Sequence, residues 1–251
     1  MSRFLIGATW DSVPHLTDEA RASLLASIPA YQRQARAEGI PQLGSGAVYP
    51  IPESDIRIND FPIPVHWVRG YSMDVGGGAK PTAAMFGALD RDSQILYITG
   101  VYKRESPEPS LHAAAIKDRM EGWTWPGVGD AAALVMTEHD AEQLLSVYKR
   151  LGLDLNLADK SVETGIKEVF DLMVLGRLKV FASCVAFFEE FRMYQRDKHG
   201  RIRKVHDHLC DCLRYLVRSG RARMKVQPVK VDKPAVLMID QGEQHHGWMG
   251  G

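Results

Sequence analysis

The chain predicts a mixed α/β sheet with helices on both faces. Three observations carry that expectation. Three strand-like stretches follow one another at 65–74, 82–89 and 94–103, separated only by polar or glycine-rich turns. From residue 108 onward, segments with helical spacing alternate with short strand-like ones. The composition, 45% apolar and 25% charged, is that of an ordinary globular chain.

Taken in order, residues 14–39 read as a helical lead. Thr17 is placed to cap it, with Asp18 and Glu19 in the first turn where the helix dipole favours acids. Pro29 interrupts the pattern, and Gly39 with Pro41 ends it. Between 41 and 64 stand Pro41, Gly44, Gly46, Pro50, Pro52, Pro62 and Pro64, a density of breakers that reads as a linker or long surface crossing. The strands at 82–89 and 94–103 are joined by Asp90-Arg91-Asp92-Ser93, a hairpin signal, so the first three strands form an antiparallel meander.

A helix is expected at about 108–121 and a short strand at 127–132. Thr137-Glu138-His139-Asp140 opens a helix that stops at Gly152, and a strand follows at 153–158. Ser161 starts a helix carrying Ile166, Val169, Phe170 and Met173 on one face and ending at Gly176. The last strand is expected at 177–182, a helix at 184–196, and a final helix at about 206–219. The predicted division is a lead and linker at 1–64, one α/β domain at 65–219 and a flexible basic tail at 220–251.

Formal net charge is zero, so bulk charge alone argues for no partner. No apolar run approaches the roughly 20 residues that span a membrane. Cys184, Cys210 and Cys212 are an odd, sparse set, which points to reduced thiols in a cytosolic setting. A zinc site is disfavoured, since Cys-x-Cys is tighter than the usual spacer and no second cysteine pair exists. Gly76-Gly77-Gly78-Ala79-Lys80-Pro81-Thr82 is not a phosphate loop: the glycine spacing is wrong and Pro81 leads into a strand, not a helix. The chain is therefore not expected to hydrolyse ATP by that route.

The stretch from His206 to Tyr215 carries the most chemistry. His208 and Asp211 are three apart, and Asp207 and Asp211 four apart, so each pair shares a helix face, while Leu209, Leu213 and Leu216 lie on another. Asp74 ends the first strand and Asp130 the fourth. In a mixed sheet those strands can lie side by side and offer both acids at one edge, with the final helix laying Asp211 over it. Three hard oxygen donors suit Mg²⁺ or Mn²⁺, and two such ions clamp the attacking and leaving oxygens of a phosphodiester. Each residue also has a bland alternative. Asp74 and Asp130 suit turns, Asp207 suits a helix cap, His208 suits a surface, and Asp211 could simply pair with Arg214.

Residues 192–230 hold twelve Lys and Arg against three acids, Asp197, Asp207 and Asp211. Arg192, Arg196, Arg201, Arg203, Lys204 and Arg214 are the candidates for DNA backbone contacts beside the acids, the alternative being a solvated basic face. Trp123 and Trp125 are expected to pack.

Several blocks together resemble the C-terminal nuclease domain of the large terminase subunit of tailed bacteriophages. They are Gly70-Tyr71-Ser72-Met73-Asp74-Val75-Gly76 with Pro81-Thr82-Ala83; Pro126-Gly127-Val128-Gly129-Asp130-Ala131-Ala132; Gly176-Arg177-Leu178-Lys179-Val180-Phe181; Glu190-Phe191-Arg192-Met193-Tyr194; and Asp207-His208-Leu209-Cys210-Asp211-Cys212-Leu213-Arg214-Tyr215. They keep family order over about 65–217, and Thr9-Trp10-Asp11-Ser12-Val13-Pro14-His15-Leu16 is similar to the end of the family's motor domain. The resemblance implies a ribonuclease H-like fold and Asp74, Asp130 and Asp211 as the acids for two Mg²⁺ or Mn²⁺ ions. It implies His208 beside the metals and Asp207 in support. It implies endonucleolytic cleavage of concatemeric double-stranded DNA in the host cytoplasm. The implied partners are an ATPase motor domain, a small terminase subunit and a portal. The chain departs from the pattern in Ala131, where proline commonly follows the second acid, and in the glycine-rich loop after Asp74. The motor domain is missing, so the chain is expected to be an excised domain or a truncated product. The rival expectations are another ribonuclease H-like nuclease of resolvase or transposase type, and a non-catalytic module that docks DNA or the portal.

Overall fold

A computed structural model describes residues 17–27, 46–76, 80–106, 108–130, 145–197 and 199–228. Their centre is a seven-stranded mixed sheet in the order β1-β7-β4-β3-β2-β5-β6. The strands are β1 (Arg57–Ile58), β2 (Val68–Asp74), β3 (Thr82–Leu89), β4 (Leu96–Arg104), β5 (Pro126–Asp130), β6 (Asp154–Leu157) and β7 (Leu178–Phe181). β2, β3 and β4 form the expected antiparallel meander. Asp90 closes its polar turn by accepting from the Asp92 N–H at 3.0 Å and the Ser93 hydroxyl at 2.6 Å. β5 runs parallel to β2, β6 to β5, β7 to β4 and β1 to β7.

The helices are α1 (Asp18–Ser27), α2 (Glu53–Ile56), α3 (Pro109–Asp118), α4 (Val162–Val174), α5 (Val185–Met193) and α6 (His208–Tyr215). Residues 145–150 are also helical. Thr17 caps α1 as expected, its Oγ1 accepting from the Ala20 N–H at 3.3 Å. Two cores form. On one face α4, α5 and α6 pack Val169, Phe187 and Leu213 against Ala83, Met85 and Ile98. On the other, α3 and the 145–150 stretch pack Ile116 and Tyr148 against Tyr71, Ala84 and Phe86. Every residue of β3 is buried, as the central strand of a doubly covered sheet must be.

Three expectations are corrected. The stretch 41–64 is not a linker over its described part: Val48, Tyr49 and Ile56 are buried in the core, and β1 extends the sheet beside β7. The prolines misled because proline tolerates extended edge segments and helix starts, and the apolar residues between them decide. Phe61 meets Trp67 and Tyr97 edge-on, and Tyr49 stacks on Phe191 at 6.1 Å. Nor is the tail loose over its described part, residues 220–228. Met224 is buried, and Lys225 bonds with Arg69 in both backbone directions. The final helix ends earlier than 219, at Tyr215, and continues as a π-helical turn, Leu216–Gly220. The helix start expected at Thr137 and the tail beyond 228 lie outside the described residues.

Candidate functional site

The parallel pairing of β2 and β5 puts Asp74 directly opposite Asp130. Asp74 also faces Ala83 across β3, and Ala83 faces Lys103 across β4. Paired residues in a sheet point to the same face, so Asp130, Asp74, Ala83 and Lys103 form one row across four strands. The Val75 N–H donates to the Asp130 carbonyl at 2.8 Å, tying the two acid-bearing strand ends together. Gly127 permits this pairing: a Cβ there would lie 2.3 Å from the ring of Tyr71.

α6 crosses the same face. The Ser72 hydroxyl donates to the Cys212 carbonyl at 2.7 Å, which fixes the helix over β2. From Leu209 to Tyr215 every residue of α6 is buried, an unusual setting for a helix holding Asp211 and Arg214. His208 Nδ1 lies 2.8 Å from Asp74 Oδ2. The Tyr215 hydroxyl donates to Asp130 Oδ2 at 3.1 Å. Arg214 donates to Asp211 Oδ1 at 2.8 Å, and its guanidinium lies over the Tyr215 ring. Lys160 Nζ sits 2.9 Å from Asp130 Oδ1. Lys204 Nζ sits 3.2 Å from Asp207 and 3.3 Å from Asp211. Asp74, Asp130, Asp207, His208 and Asp211 together line an open cavity of about 750 Å³.

The electrostatics follow from crowding acids in a partly dry place. Burial raises the Asp74 pKa, the His208 hydrogen bond opposes this, and Asp211 and Asp130 add to the rise. His208 is raised chiefly by its bond to Asp74, against its own burial. Burial would lower the Lys204 ammonium, but Asp211 and Asp207 raise it overall. Cys210 and Cys212 are driven well up by burial and are inert thiols.

All three expected acids and His208 therefore come to one cavity. The donor set suits a hard divalent ion, being carboxylate oxygen on a water-accessible wall. Among the described residues no three His, Cys, Asp or Glu side chains are gathered around one ion-sized point. Each aspartate instead holds a basic group of this chain. Lysine ammonium groups sit on Asp130 Oδ1 and Asp211 Oδ2.

Asp207 occupies the first position before α6 but makes no side-chain cap. That role falls to Glu190 of α5, whose Oε2 accepts from the Leu209 N–H at 2.6 Å. The proposed DNA contacts separate. Arg214 is only 2% exposed and is engaged with Asp211, so it is not a phosphate contact. A helix residue three after an acid reads identically whether it points outward or into the core, which is why the sequence misplaced it. Arg192 is paired with Glu53 at 2.7 Å and Arg196 with Glu163 at 2.6 Å. Arg201 and Arg203 are exposed, and Lys204 lines the cavity. Sequence reasoning missed Lys103, Lys160, Glu190 and Tyr215. Tyr215 was within reach, four residues after Asp211, and Lys103 follows once the meander is put in register.

Fold and site define a ribonuclease H-like α/β domain with an acidic centre at the ends of two parallel strands. The family described as the terminase RNaseH-like domain matches residues 71–219. The terminase large subunits of Salmonella phage P22 and Enterobacteria phage LP7 are each 35% identical to the chain over 231 residues, 85% of its length. The chain spans less than half of these curated relatives, 44% of the first and 46% of the second. The solved P22 large terminase nuclease domain superposes with a TM-score of 0.65 at 32% identity, covering 73% of this chain and 96% of that one. The chain belongs to the terminase RNaseH-like domain family.

Proposed function

We propose that the chain is the divalent-metal-dependent DNA endonuclease part of a terminase large subunit, cutting concatemeric viral DNA during genome packaging in the host cytoplasm. The observation that carries this reading is the in-register pair of Asp74 and Asp130 with Asp211 brought over it by α6. The likeness to the P22 nuclease domain supports it, at 32% identity over nearly that whole domain. An ATPase motor domain, a small terminase subunit and a portal are the partners this reading implies.

Asp74, Asp130 and Asp211 would hold the two Mg²⁺ or Mn²⁺ ions, Asp74 with Asp211 for one and Asp74 with Asp130 for the other. Bound ions supply Lewis acidity to the attacking and leaving oxygens of a phosphodiester. The chain supplies the rest. β2 and β5 hold two carboxylates at fixed spacing. Tyr215 orients Asp130, and Arg214 orients Asp211 from the buried side. His208 bonds Asp74 through Nδ1, and its second ring nitrogen would orient water or substrate. Lys160 and Lys204 neutralise Asp130 and Asp211, and a bound ion would compete with them for those carboxylates. Arg201, Arg203 and Lys204 remain the candidates for backbone contacts, the first two exposed and Lys204 lining the cavity.

The test is conversion of supercoiled plasmid to nicked and linear forms with Mn²⁺ or Mg²⁺. The parent cuts, while Asp74→Asn and Asp211→Asn lose at least a hundredfold in rate. Variants that cut as fast as the parent would sink the assignment. Preference for branched over linear duplex would move the reading toward a resolvase.

A further inference from the structure

Four lysines line the cavity: Lys80, Lys103, Lys160 and Lys204. Lys160 and Lys204 lean on the aspartates themselves, and any cation entering the site competes with them. Lys103 is held differently. Its Nζ lies 2.6 Å from Oε1 of Glu190, a carboxylate only 2% exposed that does not line the cavity. The other oxygen of Glu190 accepts from the Leu209 N–H at the start of α6. A buried carboxylate needs such partners, because removing one leaves an uncompensated charge. Glu190 is therefore fixed on both sides, and it fixes Lys103 in turn.

The position of Lys103 is set by the sheet. It stands in the Asp130–Asp74–Ala83–Lys103 row, two strands from Asp74, on the face that α6 crosses. Strand spacing is about 4.8 Å, so its backbone is about 10 Å from that of Asp74. About a quarter of the side chain is exposed, and that part opens into the cavity. Its ammonium is held by Glu190 and not by any of the three aspartates, and Lys103 borders the cavity that they line. Ions binding the aspartates leave its own carboxylate partner untouched, so its charge stays in place when the site is loaded.

We propose that Lys103 is a phosphate-binding residue of this site, holding a DNA phosphate next to the scissile one from an anchor on Glu190. This rests on the nuclease reading above. Lysine is suited to the task as a point charge with three donors, of which Glu190 takes one.

Two measurements test it. The first is the salt dependence of binding to a short linear duplex in Ca²⁺, for the parent, Lys103→Gln and Lys103→Arg. Glutamine keeps a donor for Glu190 and removes the charge. The slope of log affinity against log salt is expected to fall by about 0.9 in Lys103→Gln, one phosphate's worth, and to return in Lys103→Arg. The second uses the parent alone, so folding of variants does not enter: amine acylation read by mass spectrometry, with and without the duplex. Lys103 is expected to be protected at least threefold by DNA. An unchanged slope in a folded Lys103→Gln, or equal acylation with and without duplex, overturns the proposal. A parent that neither binds duplex nor nicks plasmid overturns the nuclease reading and this inference together. A parent that does both while Lys103 stays unprotected overturns this inference alone.

Discussion

Replacing Arg214 with methionine separates a buried structural cation from a DNA contact. Arg214 is 2% exposed, donates to Asp211 at 2.8 Å and packs its stem against α4, where a Cβ on Gly165 would lie 2.4 Å from Arg214 Cγ. Breaking a buried pair by removing one partner costs about 3–5 kcal/mol. Two features reduce that here. Asp211 keeps Lys204 at 3.3 Å and borders the cavity. The guanidinium's Nε and Nη1 make no hydrogen bond among the described residues, so deleting them removes a desolvation penalty. The net cost is about 2 kcal/mol once the unmet desolvation is taken off the cost of breaking the pair. For a domain of this size it lowers the melting temperature by roughly 4–8 °C. Calorimetry gives the first quantity, and anisotropy with labelled duplex across a salt series gives the second. The account predicts a lower melting temperature with an unchanged salt slope. An unchanged melting temperature with a slope reduced by about 0.9 would mean that Arg214 reaches a phosphate, and the burial argument would be wrong.

Three further outcomes are expected. Gly127→Ala drives a methyl into the buried Tyr71 ring, costs about 1–3 kcal/mol and parts the strands bearing Asp74 and Asp130. Tyr71→Leu in the same chain should restore part of both stability and cleavage, and additive losses would refute the clash. His208 should titrate above the ordinary histidine value in a ring-proton NMR experiment and fall in Asp74→Asn. Because the folded value is raised, the pair's stabilisation is complete below about pH 6.5 and is lost as pH rises through the folded value. A titration identical in both proteins contradicts the pairing. Lys204→Met removes an ammonium from between Asp207 and Asp211, so Mn²⁺ should bind several-fold more tightly by calorimetry; weaker binding would show that Lys204 helps to hold the site.

Much of the centre was legible because it depends on local pattern. The meander follows from short turns between strand-like runs, and the adjacency of β2 and β5 follows from where a fourth strand can go. Gly127 and Gly129 mark a strand whose neighbours approach closely. What could not be read depends on distant pairing. Glu190 looks like any acid on an amphipathic helix until α5 is laid against α6, where it accepts from the Leu209 N–H, while Asp207, for which a cap was only the alternative reading, makes no side-chain cap. The segment 46–64 was misread because proline density was weighed above Val48, Tyr49, Ile56 and Phe61, whose burial makes it part of the sheet's cover. The charge count in 192–230 could not separate paired arginines from available ones, since the partners Glu53 and Glu163 lie more than thirty residues away.

The most direct test of the central claim is anomalous scattering from crystals soaked in Mn²⁺. The account predicts density bonded to Asp74 and shared with Asp130 and Asp211, with Lys160 and Lys204 turned away from those carboxylates. Crystals with no anomalous peak at these three residues, or with the only peak elsewhere, would contradict the assignment of this cavity as a metal-dependent nuclease centre.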